Sequence, residues 1–272
     1  MTNLTFVSVL LSTSLAIPYS SSGQTTDPTR APPQTPVPAA VSQPPAADRP
    51  VSWKLLLPNI LNDQKRIWIF PAKLVQGESL IPTAAVLGTT AGLVALDPTE
   101  SSYFHRASAF HGFNAIFAGN ATAFGTIAAP ISLYAAGLIR KDSKMQRTAL
   151  LAGEAVADSE LVTTFLKDAT RRVRPAAIPT KGNYSDSWFE SGGSFFRGSG
   201  SFPSGHTIAA VSVATVISRR YGAKHRWVPY VAYGVAALVG ASRLSLSAHF
   251  LSDVFMGGAL GYSISRFTVL RQ

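Results

Sequence analysis

Six apolar stretches rich in Ala and Gly dominate the chain beyond residue 80, and they limit its possible folds more than any other feature. Their composition favours helix over strand, and turn residues separate them. No stretch alternates long enough to form a sheet, and nothing repeats at a fixed period. We therefore predict an all-α domain, a six-helix bundle with helices over Ile81–Leu96, Ala121–Ile139, Ala149–Leu166, Thr207–Ser218, Val228–Ala241 and Val254–Phe267.

The first fifty residues differ from the rest of the chain. They contain half of its 18 prolines, and residues 24–50 lack apolar periodicity, which predicts a disordered linker. Before the linker, Leu4–Ile17 is a short apolar stretch followed by small residues, which is typical of a secretory signal, although no Lys or Arg precedes it. A partly buried hydrophobic terminus is the alternative. The expected domains are a signal peptide over 1–23, a linker over 24–50 and a folded domain over 51–272.

The formal net charge of the chain is +10. The charges of the linker cancel, so the folded domain carries the whole excess. A domain with this charge should attract anions. Nucleic acid, an anionic membrane surface and phosphorylated small molecules all satisfy this condition, and charge alone does not choose among them.

The first of three charged motifs is KDATRRVRP. Lys167, Arg171 and Arg174 follow one another at i, i+4 and i+7, which predicts three cations on one face of a helix that Pro175 ends. A solvated basic face would normally interleave carboxylates, but only Asp168 is present. An anion site and a solvated face both remain open for this motif alone.

The second motif is GSGSFPSGHTIAA. Ser204 is placed to cap a helix, and the amides of Gly205, His206 and Thr207 would then offer donors to an oxyanion. A glycine at this point lets the backbone approach a ligand closely. A purely structural serine and histidine at a helix start are the alternative.

The third motif is ASRLSLSAHFLSD. His249 and Asp253 stand at i and i+4 on a predicted helix, so the carboxylate can orient one ring nitrogen and leave the other nucleophilic. Arg243 precedes them and offers a bidentate guanidinium. A plain buried His–Asp pair is the alternative.

The order and spacing of the three motifs resemble the signature of the type 2 phosphatidic acid phosphatase and vanadium haloperoxidase superfamily. The matching positions are Lys167, Arg174-Pro175, Pro203-Ser204-Gly205-His206, Ser242-Arg243, His249 and Asp253. The resemblance implies a helical bundle that gathers the three motifs at one end. It also implies phosphoryl transfer without a metal or another cofactor.

The resemblance assigns a role to each matching residue. It implies that His249 attacks phosphorus and forms a phosphohistidine, that Asp253 orients it, and that His206 protonates the leaving oxygen and then activates water. It further implies that the phosphoryl oxygens are held by Lys167, Arg174, Ser204, Gly205 and Arg243. Because one histidine must be neutral and the other protonated, we expect activity at mildly acidic to neutral pH.

The expected function is that of a phosphatase for phosphomonoesters or pyrophosphates, with lipid phosphates such as phosphatidic acid favoured and nucleic acid not expected as a partner. A soluble exported acid phosphatase is the main alternative. A vanadium haloperoxidase is disfavoured because the chain is short for one, and a non-catalytic anion-binding protein is the remaining class. The sequence does not indicate an oligomeric state.

The sequence leaves membrane insertion open. Basic loops at 140–147 and 219–226 would fall on one side and the three motifs on the other, as the positive-inside rule requires. Only Ala121–Ile139 approaches the length of a membrane span, and acidic residues interrupt the third predicted helix. We expect the site on the periplasmic or extracytoplasmic face, and an amphipathic segment around Trp53–Lys73 that covers the bundle rather than lying on a bilayer.

Overall fold

The computed structural model describes residues 49–106, 110–117, 119–192 and 198–271. The predicted signal peptide and most of the predicted linker, residues 1–48, lie outside these ranges. The described part is helical, in agreement with the predicted fold class. Its α-helices are α1 Leu56–Val75, α2 Leu80–Arg106, α3 His111–Ile116, α4 Gly119–Ile139, α5 Ser143–Thr170, α6 Gly205–Tyr221, α7 Val228–Ser245 and α8 Leu251–Ser263.

All six predicted helices are present, as α2 and α4 to α8, but the predicted count of six is too low for the described residues. The two additional helices are α1, which is amphipathic, and α3, which is six residues long. Helix α2 runs ten residues beyond its predicted end, through Pro98. Helix α8 is followed by a π-helical turn over Ile264–Val269.

Helices α5 and α6 form the centre of the bundle. Helix α6 packs against α5, α7 and α8, and α4 and α1 pack against α5. The main cluster of buried side chains includes Leu151, Ala155, Ile208, Val216 and Val269. Small residues let the central helices approach closely, because a Cβ at Gly261 of α8 would lie 2.5 Å from the carbonyl oxygen of Ile208 on α6.

Helix α1 buries polar side chains on the face that packs against α5 and exposes several large apolar ones. Asp63 is buried, and Asn59 and Gln64 hydrogen-bond to acidic side chains of α5. Leu57 and Leu61 are 66% and 62% exposed. The helix therefore covers the bundle as predicted, with a polarity opposite to that of a helix on the surface of a water-soluble protein.

The fold begins earlier than the sequence predicted. Arg49, assigned above to the linker, forms ion pairs of 2.6 Å with Asp63 and 3.0 Å with Glu154. Both carboxylates are buried, so the guanidinium supplies the charge that their burial requires. Arg49 is part of the folded domain, and the predicted boundary at residue 51 is too late.

Two helices are long and apolar enough to cross a membrane, over Leu80–Phe104 and Ala121–Ile139. The sequence analysis identified only the second. In each, 11% of the most apolar stretch is buried inside the protein, so these helices are not core helices. Large side chains such as Leu87, Phe124 and Ile131 are more than half exposed.

The two basic loops meet at one end of the bundle. The Lys144 ammonium lies 4.8 Å from the centre of the Tyr221 ring, and Arg220 donates a hydrogen bond to Thr148. Lys167 lies 23 residues farther along α5, roughly 35 Å away at the rise of an α-helix. The basic loops and the first charged motif are therefore at opposite ends of α5.

The close packing of α6 on α8 can be tested with a matched pair of glycines. We expect Gly261→Ala to lower the free energy of unfolding by about 1–3 kcal/mol, because its Cβ would meet the α6 backbone. A Cβ at Gly258, one turn earlier in α8, meets nothing within 4 Å, so Gly258→Ala should raise stability by about 0.5–1 kcal/mol. Thermal unfolding followed by tryptophan fluorescence measures both, and equal midpoints for the two variants would contradict the packing described.

Candidate active site

The end of α5 carries the first charged motif, but not as a helical stripe. The helix ends at Thr170, and Arg171 adopts a left-handed conformation with φ 45°. Arg171 donates a hydrogen bond to the carbonyl of Ser191, so the prediction that it lies on one helical face with Lys167 and Arg174 is wrong. Arg174 lies beyond the helix in extended backbone, immediately before Pro175.

The start of α6 lies against the first motif. Helix α6 begins at Gly205, and a Cβ there would be 3.5 Å from Nζ of Lys167. The space left by this glycine is therefore the space in front of the lysine ammonium. Ser204 occupies the N-cap position, but its hydroxyl is 2.9 Å from that of Thr207 and no side chain caps the helix, contrary to the predicted capping role.

His206 lies on the first turn of α6 and is half-buried. Two residues earlier, the backbone N–H of Ser204 donates to the carbonyl of Asp253 at 3.0 Å. A Cβ at Gly257 of α8 would lie 2.7 Å from the carbonyl of Ser204. The starts of α6 and α8 are therefore in direct contact, which brings the second and third motifs to the same end of the bundle.

His249 and Asp253 are buried together, but the prediction that both lie on one helix is wrong: α8 begins at Leu251, so His249 precedes it and Asp253 lies in its first turn. Nδ1 of His249 lies 3.5 Å from Oδ2 of Asp253 and 3.4 Å from the hydroxyl of Ser201. Contacts of this length are common in catalytic sites that hold no ligand. The arrangement directs Nδ1 towards the carboxylate and leaves Nε2 as the nitrogen that can attack.

Arg243 lies in the last turn of α7 and is buried. Its Nη2 donates to the carbonyl of Phe117, to Thr122 at 3.1 Å and to Ser242 at 2.9 Å, and its Nε also donates to Ser242. Arg243 thus holds the turn before α4 in place. Its backbone carbonyl accepts from the N–H groups of Ala248 and His249, which positions the nucleophilic histidine.

The charges of the three motifs influence one another. Burial lowers the pKa of His249, Asp253 opposes this effect, and the positive charges of Arg174 and Lys167 lower the pKa further. Burial also lowers the pKa of Arg174, and Asp253 partly offsets that change. The charges of Lys167 and Arg174 therefore act on the buried imidazole of His249. Cations beside an imidazole can hold a multiply charged anion, and the imidazole can attack its central atom.

Arg172 is the main site residue that the sequence analysis missed. Its side chain is fully buried, and Nη1 donates to Oδ1 of Asp253 while Nη2 donates to Oδ2 of Asp97, both at 2.7 Å. The guanidinium also lies between the rings of Phe250 and Trp188, at 3.8 and 4.2 Å from their centres. Arg172 therefore connects α2 to the carboxylate that orients His249.

Asp97 was also missed, although a signal for it is present in the sequence. It is a charged residue inside the apolar helix α2, and such a residue is a candidate for a functional or paired group. Its Oδ1 accepts from the N–H of Ser252 and its Oδ2 from the hydroxyl of the same residue. No local pattern, in contrast, identifies its partner Arg172 among the neighbouring arginines.

Ser201 is the third missed residue. Its hydroxyl donates to Oδ2 of Asp253 at 2.5 Å, and its backbone N–H donates to the carbonyl of Arg172. The preceding Gly200 permits this contact, because a Cβ there would lie 2.6 Å from the carbonyl oxygen of Lys167. Asp253 thus has both oxygens fixed, since the N–H of Phe250 also donates to Oδ2.

We expect Asp97→Ala to lower the free energy of unfolding by about 3–5 kcal/mol, because it leaves a buried guanidinium with one of its two carboxylates. The exposed Asp186 provides the control, and Asp186→Ala should stay within about 0.5 kcal/mol of the parent protein. Denaturant titration measures both changes. An Asp97→Ala protein as stable as the Asp186→Ala protein would show that the buried ion pair is not formed.

Comparison with known proteins extends the resemblance. The PAP2 superfamily profile matches residues 148–272. The lipid A 1-phosphatase of Porphyromonas gingivalis is 41% identical over 61 residues, 22% of this chain and 14% of that protein. The phosphatidylglycerophosphatase B of Bacillus subtilis is 35% identical over 108 residues, 37% of this chain and 46% of that protein.

Among solved structures, the transmembrane PAP2-type phosphatidylglycerolphosphate phosphatase from Bacillus subtilis matches with 22% identity and a TM-score of 0.39, over 79% of this chain and 92% of that one. The alignments to the two curated relatives span less than half of their length. All three charged motifs fall within the segment matched by the superfamily profile, since they run from Lys167 to Asp253. Residues 148–272 of this chain are thus similar to the PAP2 superfamily.

Proposed function

We propose that this protein is a membrane-embedded phosphatase that hydrolyses lipid phosphate monoesters or pyrophosphates through a phosphohistidine on His249. The observation that carries the proposal is the buried His249–Asp253 pair beside Lys167 and Arg174. An imidazole in this setting is neutral, oriented and next to an anion site. The names of the curated relatives, which are lipid phosphatases, favour the same class of reaction.

In the first step, Nε2 of His249 attacks phosphorus while the bond from phosphorus to the leaving oxygen breaks. The leaving oxygen takes a proton from protonated His206, so an alcohol or a phosphate departs. Asp253 keeps the proton of the attacking ring on Nδ1 and stabilises the positive charge that develops there.

In the second step, His206, now neutral, takes a proton from water, and the oxygen of that water attacks the phosphorus. The nitrogen–phosphorus bond breaks and its electron pair returns to His249. Inorganic phosphate leaves, and both histidines regain their starting protonation states.

The positive charges supply the stabilisation that this reaction needs. Negative charge spreads over the three equatorial oxygens of a transferring phosphoryl group, and fixed cations lower the energy of that state. Lys167 and Arg174 of the first motif act on His249 through their charges, and Arg243 is the third cation assigned to the phosphoryl oxygens. The glycine at 205 leaves room for phosphate oxygens in front of the lysine.

A lipid substrate is favoured by the exterior of the bundle. Helices α2 and α4 have the length and composition of membrane spans and are mostly unburied. Helix α1 exposes Leu57 and Leu61 and directs Asn59 and Asp63 inward. Water is a poor solvent for such a surface, and a bilayer is a good one.

The charge distribution then sets the orientation. The basic loops at 140–147 and 219–226 meet at the end of the bundle opposite the site. Lys and Arg prefer the cytoplasmic side, so the site would face the periplasm or another extracytoplasmic space. The two ends lie roughly 35 Å apart along α5, which is close to the thickness of the hydrocarbon core of a bilayer.

Substitution of the nucleophile tests the mechanism. We expect purified protein to release phosphate from phosphatidic acid in the presence of a chelator and to be inhibited by vanadate, and His249→Ala to lose about 10³-fold or more of kcat/KM. The exposed His225, at the opposite end of the bundle, is the matched control, and His225→Ala should keep parental activity.

Acid quenching with radiolabelled substrate should trap a phosphoprotein in the parent and not in His249→Ala. An active His249→Ala protein would disprove the mechanism. Hydrolysis of soluble aryl phosphates without hydrolysis of lipid phosphates would favour an acid phosphatase instead. Bromide oxidation after loading with vanadate would favour a haloperoxidase.

The pH profile tests the electrostatics of His249. Because burial and neighbouring cations lower its pKa, the neutral, reactive form should persist to more acidic pH than for an ordinary histidine. We therefore expect the acid limb of kcat/KM to lie below pH ~6.5.

The variant Arg174→Gln removes a positive charge that opposes protonation of His249. The acid limb should therefore move to higher pH, in addition to any loss of rate. An acid limb that stays in place in Arg174→Gln would show that the two groups do not interact.

A further inference from the structure

An apolar groove lies between α4, α6 and α7, with a volume of about 380 Å³. None of its described lining residues is charged, and small residues form much of its surface. Ala214 and Ala236 are buried in it, and a Cβ at Gly125 would meet nothing within 4 Å. Its volume falls in the range of small-molecule binding sites.

One end of the groove adjoins the active site. Ala210 lies four residues after His206 on α6, and Val239 lies four residues before Arg243 on α7. Residues four apart share a helix face, so the groove continues the two faces that carry the site. Thr122, also in the groove lining, accepts a hydrogen bond from Nη2 of Arg243 at 3.1 Å.

The groove extends away from the site along the helices. It continues to Ile217 on α6, Ala232 on α7 and Ala129 on α4. Seven residues separate the first and last lining positions on α6 and on α7, which is roughly 10 Å at the rise of an α-helix. An elongated ligand in this groove would lie parallel to the helices, with one end next to Arg243.

The polarity along this path matches one kind of ligand. The end next to the site offers the positive charges of Arg243 and Arg174. Burial lowers the pKa of Arg243, and the charge of Arg174 lowers it further. Apart from Thr122 and Thr126, the described lining of the groove is apolar. A phosphate joined to a hydrocarbon chain satisfies both ends, whereas a fully polar phosphate ester leaves the groove unfilled.

We propose that this groove binds one hydrocarbon chain of the phosphate ester. The extent of the groove along α4 then selects substrates by the length of that chain. The proposal rests on the phosphatase function proposed above. Gly125 is the position that keeps the groove open near the site, and Ala129 is one turn farther from it.

Monoalkyl phosphates of increasing length test the proposal. In the parent protein, kcat/KM should rise by about fourfold per added methylene from ethyl to hexyl phosphate, since each buried methylene gives a constant transfer gain. Gly125→Leu should abolish this rise, so that its kcat/KM values for ethyl and hexyl phosphate differ by less than about twofold. Ala129→Leu should keep the early part of the rise and lose the gain between hexyl and octyl phosphate.

Gly88→Leu is the matched control, because Gly88 lies on the exposed α2 and a Cβ there also meets nothing within 4 Å. It should keep the full dependence on chain length. Titration calorimetry of the same phosphates with His249→Ala repeats the test by binding alone, so that the groove is tested even if no phosphate is hydrolysed.

The outcomes separate the two proposals. Absence of turnover with every phosphate would overturn the proposed function, and the calorimetric series would then decide on the groove. Turnover or binding that is independent of chain length, or that Gly125→Leu leaves unchanged, would overturn the groove proposal alone. A change of oligomeric state in Gly125→Leu, measured by light scattering, would show that the groove contacts a second copy of the chain. That result would also overturn the groove proposal.

Discussion

The buried guanidinium of Arg172 is the interaction on which the arrangement of the site depends. It lies between two carboxylates, Asp97 from α2 and Asp253 from α8, and all three groups are shielded from solvent. Removing such charges from water costs several kcal/mol each, so the cluster persists only because its hydrogen bonds are nearly complete. Ser187 and Ser252 accept further hydrogen bonds from the guanidinium, and Phe250 and Trp188 enclose it. A carboxylate held in this way cannot rotate freely, which is the property that an orienting partner of His249 requires.

The polarity of the helices follows from a second constraint. A helix between water and a protein core normally buries its apolar face, but α1 buries Asp63 and exposes Leu57 and Leu61. The polar face is used for contacts with Glu154 and Asp158 in the middle of α5, where Arg49 compensates part of the negative charge. Glu154 and Asp158, which argue against a membrane span when the sequence is considered alone, are therefore compatible with one, because both are buried in the bundle.

The sequence predicted the parts of the structure that depend on local pattern. It located six helices, since apolar stretches and turn residues are local, and the spacing of the motifs identified the segments that meet at the site. It could not identify the pairing of Arg172 with Asp97, which are 75 residues apart, because ion pairs across a bundle leave no periodic signal. It placed Arg171 on a helical face because no pattern predicts a left-handed conformation for an arginine. It also identified the two faces of α1 without indicating which one is inside, because periodicity groups residues but does not orient them.

The geometry of Arg243 links the chemistry to the groove. The same Nη2 that holds the carbonyl of Phe117 and the hydroxyl of Thr122 belongs to a guanidinium whose pKa is lowered by burial and by the charge of Arg174. A phosphate that attracts this guanidinium therefore competes with the contacts that fix the turn before α4. Because α4 forms one wall of the groove, any movement of Arg243 towards an anion changes the entrance to the groove. Under the two proposals, binding of the charged and apolar parts of one ligand would be coupled through this single side chain.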